Sequence, residues 1–234
     1  GTNYAGQYFI QTADIDLMES TVVGNGAKLC WEPIGVSKTF NGNYNGDNHK
    51  ISNMTIGGTW GYAGLFGNVN YTSARLANIR LENVQIHMEV PKSINVCAGG
   101  LVGQIARGDI RNCHVLSGAI VCNGATGSVV GGLVGNFMPR ANGADGQWAR
   151  YLVNSSAEAS VESTGWQVGG LAGCISDRST YSGTDKYKGN VIVRDCYATG
   201  DVTGQQYVGG LIGYGANLKE GEIHNCYAAG NVTA

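Results

Sequence analysis

Gly209-Gly210-Leu211-Ile212-Gly213 is the last of five occurrences of one pattern, and that pattern decides the fold. Its core, Gly-Leu-apolar-Gly, also reads Gly64-Leu65-Phe66-Gly67, Gly100-Leu101-Val102-Gly103, Gly132-Leu133-Val134-Gly135 and Gly170-Leu171-Ala172-Gly173. Successive copies lie 32 to 40 residues apart, and a further glycine precedes the last four. One such tetrapeptide is noise. Five at a near-regular period indicate a repeat architecture, in which stacked units bury a face that none can bury alone.

A second pattern lies between the copies: apolar, any residue, Asn, then a small or apolar residue. It reads Ile51-Ser52-Asn53-Met54, Leu76-Ala77-Asn78-Ile79, Ile110-Arg111-Asn112-Cys113 and Leu152-Val153-Asn154-Ser155. It continues as Val193-Arg194-Asp195-Cys196 and Ile223-His224-Asn225-Cys226. Strict strand alternation would put Ile223 and Cys226 on opposite faces. A bend at Asn225 lets both point inward, and Asn tolerates the left-handed backbone such a bend needs. Stacked corners would align Asn53, Asn78, Asn112, Asn154, Asp195 and Asn225 as a side-chain ladder, with Asp195 interrupting the amide pairing. Two columns should follow: Met54, Ile79, Cys113, Ser155, Cys196, Cys226, and then Ile56, Leu81, Val115, Ala157, Ala198, Ala228. The second thins toward the C-terminus. Val161, Val202 and Val232 sit seven residues past their corners, while Ile86 and Ile120 sit eight past theirs. The motif Leu and its successor are both apolar in every copy. Either a corner falls between them or one is covered from outside.

The remaining composition agrees. There are 38 Gly and 3 Pro, 14% of residues are charged, and no stretch of any length has helical periodicity. The expected fold is all-β, a right-handed single-stranded parallel β-helix of five to six coils. Residues 1–60 should form an N-terminal lead-in and first coil, and 61–234 the repeat coils continuous with it. A net charge of −2 without a basic stripe argues against a nucleic-acid partner. No apolar run reaches the length of a membrane span. The seven cysteines match no zinc spacing, and Cys113, Cys196 and Cys226 read as small core residues.

These residues resemble the GLUG-repeat family of bacterial surface proteins. The lead-in carries the likeness too, at Tyr8-Phe9-Ile10, Ala13-Asp14-Ile15-Asp16-Leu17, Trp31-Glu32-Pro33-Ile34-Gly35 and Phe40-Asn41-Gly42-Asn43-Tyr44-Asn45-Gly46. The resemblance implies a pectate-lyase-like β-helix, adhesin-like, within a larger secreted or surface-anchored protein. It implies no catalytic residues and no cofactor. A helix usual before the lead-in is missing and the final repeat halts at Ala234, so the chain is expected to be excised from a longer protein or to abut another molecule there.

Catalytic chemistry finds little support in the remaining residues. Asp14 and Asp16 share a strand face, but capping of lead-in turns accounts for such acids. The four histidines occupy different repeat positions, and no metal site is expected. Two features point to binding. An outward column, Thr55, Arg80, His114, Ser156, Tyr197, Tyr227, ends in two neighbouring tyrosines able to stack on a sugar or simply on each other. Long connections also run from Asn136 to Arg150 and from Cys174 to Asn190, following the motif in consecutive coils. They carry Arg140, Trp148, Arg150, Arg178, Tyr181, Lys186 and Tyr187. The main reading is a non-catalytic cell-surface or secreted module that adheres to or binds a glycan or a host surface protein. The alternative is a carbohydrate-active enzyme, lyase or hydrolase-like, or a sugar-binding domain using the long loops.

Overall fold

A computed structural model describes residues 3–18, 30–124, 126–138, 149–176, 190–216, 218 and 222–234. Among them there are no helices, and every strand pairing is parallel. The chain is the expected parallel β-helix. Each full coil contributes in turn to four sheets, joined at sharp corners.

The motif sheet has five strands: Tyr62–Ala63, Cys97–Gly99, Val129–Gly131, Gln167–Gly169 and Val208–Gly209. Its register is strict, with Gly99 on Gly131, Gly131 on Gly169, and Gly169 on Gly209. Immediately after it comes the long sheet, whose strands include Phe66–Ala77, Val102–Arg111, Val134–Phe137 and Ala172–Ser176. The corner between the two sheets falls at the motif Leu. The N–H groups of Leu101 and Val102 both donate to the Leu133 carbonyl, at 3.0 and 3.2 Å. Both side chains are buried, because a chain that turns between two residues sends both inward. This settles the two alternatives left by the adjacent apolar pair.

The glycines follow from that corner. A Cβ on Gly131 would lie 2.2 Å from the Val134 carbonyl oxygen, and one on Gly135 2.7 Å from the Ala98 nitrogen. The strands on either side press backbone against backbone, and only a residue without a side chain fits there.

At the far end of the long sheet the chain turns at asparagine. Asn78, Asn112, Asn154, Asp195 and Asn225 all have φ between +48° and +55°. Left-handed backbone costs most L-residues about 1–2 kcal/mol, and Asn and Asp tolerate it best. The ladder forms, since Asn112 Nδ2 donates to Asn78 Oδ1 (2.8 Å) and Asn154 Nδ2 to Asn112 Oδ1 (3.0 Å). Below them Asn78 donates to Asn45 at 2.9 Å.

Asn53 stands elsewhere. Strand Lys50–Ser52 pairs with Arg80–Glu82, so Ile51 lies on Leu81. Asn53 therefore sits under Asn83, whose Nδ2 donates to it at 2.7 Å, and itself donates to Asp16 at 2.8 Å. This second corner comes five residues after the first, and both Asn53 and Asn83 are left-handed there. The inner columns shift accordingly. Ile51, not Ile56, begins the Leu81–Val115–Ala157–Ala198–Ala228 column. Met54 packs at the level of Val84, since the Gln85 N–H donates to its carbonyl. Ile56 heads a further column of Ile86, Ile120, Val161, Val202 and Val232. The eight-residue spacing of Ile86 and Ile120 reflects one extra residue at the second corner.

The strands after the first corner form a seven-stranded sheet, and those after the second a six-stranded one. The lead-in supplies the first levels: Tyr8–Ile10 pairs with Asn43–Asn45, and Ile15–Asp16 with Lys50–Ser52. The cysteines are free thiols. Cys113 and Cys196 are buried, and burial pushes both thiols up to about 12. Cys226 is only half-buried.

Candidate functional site

The tyrosine column lies on the seven-stranded sheet. Register places Lys50, not Thr55, beneath Arg80, followed by His114, Ser156, Tyr197 and Tyr227. The Tyr197 and Tyr227 rings are 5.2 Å apart and 8° from parallel. That separation is close to the spacing between strands, so each ring presents its face along the helix axis and its edge outward. Tyr227 covers one face of Tyr197, and the Tyr197 hydroxyl lies 3.3 Å from Glu158 Oε1. The pair is chiefly cross-strand packing, with the outer face of Tyr227 left exposed. His114 is held between Ser156 Oγ (2.9 Å) and Asn112 Oδ1 (3.1 Å), and burial pulls its pKa down.

Asp14 and Asp16 cap backbone turns. Asp14 accepts from the Lys50 N–H and faces His49, while Asp16 accepts from the Met18 N–H and Asn53. These bonds favour the charged forms and lower both pKa values, the opposite of what a general acid needs. Among the described residues no three His, Cys, Asp or Glu side chains are grouped to hold a metal ion.

The loops interrupt the long sheet at consecutive levels. Val134–Phe137 resumes at Ala149–Val153, and Ala172–Ser176 at Asn190–Arg194. Arg140, Trp148, Arg178, Tyr181, Lys186 and Tyr187 lie outside the described residues. Arg150 is buried, only 6% exposed, and its Nη1 donates to the Thr72 carbonyl at 3.1 Å. Burial lowers its pKa, with Asp109 opposing and Arg107 adding to the fall.

Arg150 borders a cluster that the sequence reading did not single out. On strand Val102–Arg111, the residues Arg107, Asp109 and Arg111 alternate and share the outward face. Arg111 donates to Asp109 Oδ2 from Nη2 (3.0 Å) and Nε (3.3 Å), while Asp109 Oδ1 accepts the Tyr151 N–H at 3.1 Å. The Arg111 guanidinium lies over the Tyr151 ring, 4.3 Å from its centroid. Arg75 flanks Asp109 in the coil below, and Arg194 lies on Val153, which lies on Arg111. Arg107 Nε is enclosed without a hydrogen-bond partner. The period-two run Arg107-Gly108-Asp109-Ile110-Arg111 was the available signal. Recognising it required knowing which face looked outward.

The molecule is thus a stack of glycine-cornered coils with a charged strip along one sheet, a repeat-built parallel β-helix. The GLUG motif matches at residues 94–121 and 204–233, each spanning one Gly-Leu-apolar-Gly corner. The chain carries GLUG repeats at these two positions. A curated relative, halomucin of Haloquadratum walsbyi, is 34% identical over 149 residues, which cover 58% of this chain and 1% of that protein. The chain thus spans about a hundredth of the length of the relative it matches. No solved structure matches it.

Proposed function

We propose that this chain is a non-catalytic binding module of a secreted or cell-surface protein, adhering through the outward face of its long sheet. The observation that carries the reading is the arginine strip on a rigid stack. Arg111 is held by Asp109 and Tyr151, whereas Arg75 and Arg107 form no ion pair among the described residues. The GLUG corners are structural, which supports a scaffold rather than a catalyst. Likeness to an archaeal protein removes the reason to confine the source to bacteria.

An array of glycans and extracellular-matrix proteins probed with the purified chain tests the reading. Saturable binding to at least one class is expected, with no new reducing ends or unsaturated products when polysaccharides are incubated with the chain. Depolymerisation of any of them would turn the assignment to the carbohydrate-active alternative. A blank array would overturn adhesion.

A further inference from the structure

Resting on that reading, we infer that the strip formed by Arg75, Arg107, Arg111 and Arg194 binds an anionic glycan, its guanidinium groups pairing with carboxylate or sulfate groups along the saccharide chain. Three observations converge. First, the charge is segregated. Five arginines, counting Arg150, stand on or beside this strip against Asp109, Asp195 and the buried Glu222, in a chain whose net charge is −2. Asp109 is already engaged by Arg111 and the Tyr151 N–H, and Arg194 Nε is 3.7 Å from Asp195 at an exposed site. Arg75 and Arg107 have no ion pair among the described residues. Second, Arg107 Nε is enclosed and unpaired. A buried donor without an acceptor is unfavourable, and since Arg107 as a whole is part-exposed, an anion would meet the outer part of the same uncompensated guanidinium. Third, the arginines form one continuous patch on the sheet. Arg111 and Arg194 share a column two coils apart, roughly 10 Å at the inter-strand spacing, while Arg75 lies one coil below and Arg107 four residues back along the same strand as Arg111.

A planar guanidinium grips carboxylate and sulfate bidentately, and Arg111 is pre-set by its ring stack. Protein partners centre on large apolar anchors in a desolvated core. The exposed large hydrophobic side chain on the strand next to this patch is Tyr71, between Asn70 and Arg75, and one tyrosine among four arginines favours a hydrated, charged polysaccharide.

The test is calorimetric titration of the purified chain with polygalacturonate, dextran sulfate, neutral dextran, poly-glutamate and a single-stranded oligonucleotide. One or both charged glycans should bind, and the tighter of the two identifies the anionic group. Neutral dextran should not bind, and added salt should weaken the interaction. The triple variant Arg75→Gln, Arg107→Gln, Arg194→Gln should lose roughly tenfold or more in affinity with its circular dichroism and melting curve retained. A control that removes two cations from another sheet, Lys50→Gln with Arg80→Gln, should bind as the parent does. Should the triple variant fail to fold, Arg75→Gln with Arg194→Gln, both exposed positions, takes its place and must lose affinity where the control does not. Charged-glycan binding that survives the variants, or falls equally in the control, would overturn the inference. So would poly-glutamate or the oligonucleotide binding as tightly as the glycans, or no charged glycan binding at all. Binding of neutral glycans alone would overturn it while leaving the adhesive reading intact.

Discussion

Asn112 shows how much one side chain does at a corner. It holds left-handed backbone at φ +52°, donates to Asn78, accepts from Asn154 and meets His114 Nε2 at 3.1 Å. Alanine there would keep the strained conformation and lose every one of those bonds, so Asn112→Ala should cost about 1–3 kcal/mol in urea unfolding. A loss under a few tenths would show that the ladder contributes nothing. Asp195 breaks the same ladder. It accepts from Asn225 Nδ2 but has no hydrogen to offer Asn154 Oδ1. Asp195→Asn supplies that donor and removes only an exposed 3.7 Å contact with Arg194, a type of pair worth little. The variant should melt at or above the parent temperature. A clear drop would mean that the carboxylate charge itself stabilises the corner.

Among the elements, the glycine corner is the least forgiving. Gly131→Ala drives a Cβ to 2.2 Å from a strand carbonyl and 2.6 Å from the Gly173 nitrogen. Neither neighbour is a flexible side-chain end. The two strands must part, and the loss should reach or exceed the roughly 1–3 kcal/mol usual for overpacking. Gly61, just before a motif-sheet strand, has an ordinary φ, and a methyl group there would meet nothing within 4 Å. Gly61→Ala should change stability by no more than about 0.5 kcal/mol. Thermal melts of the two variants separate a corner that demands glycine from a turn that merely contains one. Equal effects would refute the close-packing account.

Across the whole stack the core is uneven. The fully buried phenylalanine and methionine side chains, Phe66, Phe137, Met54 and Met88, all lie between residues 54 and 137. One inner column runs Leu81, Val115, Ala157, Ala198, Ala228, losing volume at each early step. Repeat stacks are stabilised coil by coil through nearest-neighbour contacts, so local opening should follow side-chain volume. Amide exchange should be slowest in the strands Phe66–Ala77 and Val102–Arg111 and fastest beyond Ala198. Uniform protection along the chain would mean that the coils unfold as one cooperative unit despite the thinning core.

The coil period, the parallel register of the motif and the left-handed corners were legible in the residues themselves. Each is a local demand repeated five or six times, and repetition makes a weak local signal strong. The place of Asn53 was not legible. Asn48 and Asn53, like Asn78 and Asn83, are five apart, and both members of each pair suit a left-handed corner. Only the pairing of Lys50–Ser52 with Arg80–Glu82 chooses between them. Nor did the tyrosine column reveal that its rings face along the axis. The arginine strip lay furthest from sequence reasoning, because Arg75, Arg111 and Arg194 belong to three separate coils. Local backbone preference is a property of a few neighbouring residues and can be read from them. The surface that binds is a property of which coil lies on which, and the stacked backbone hydrogen bonds alone decide that.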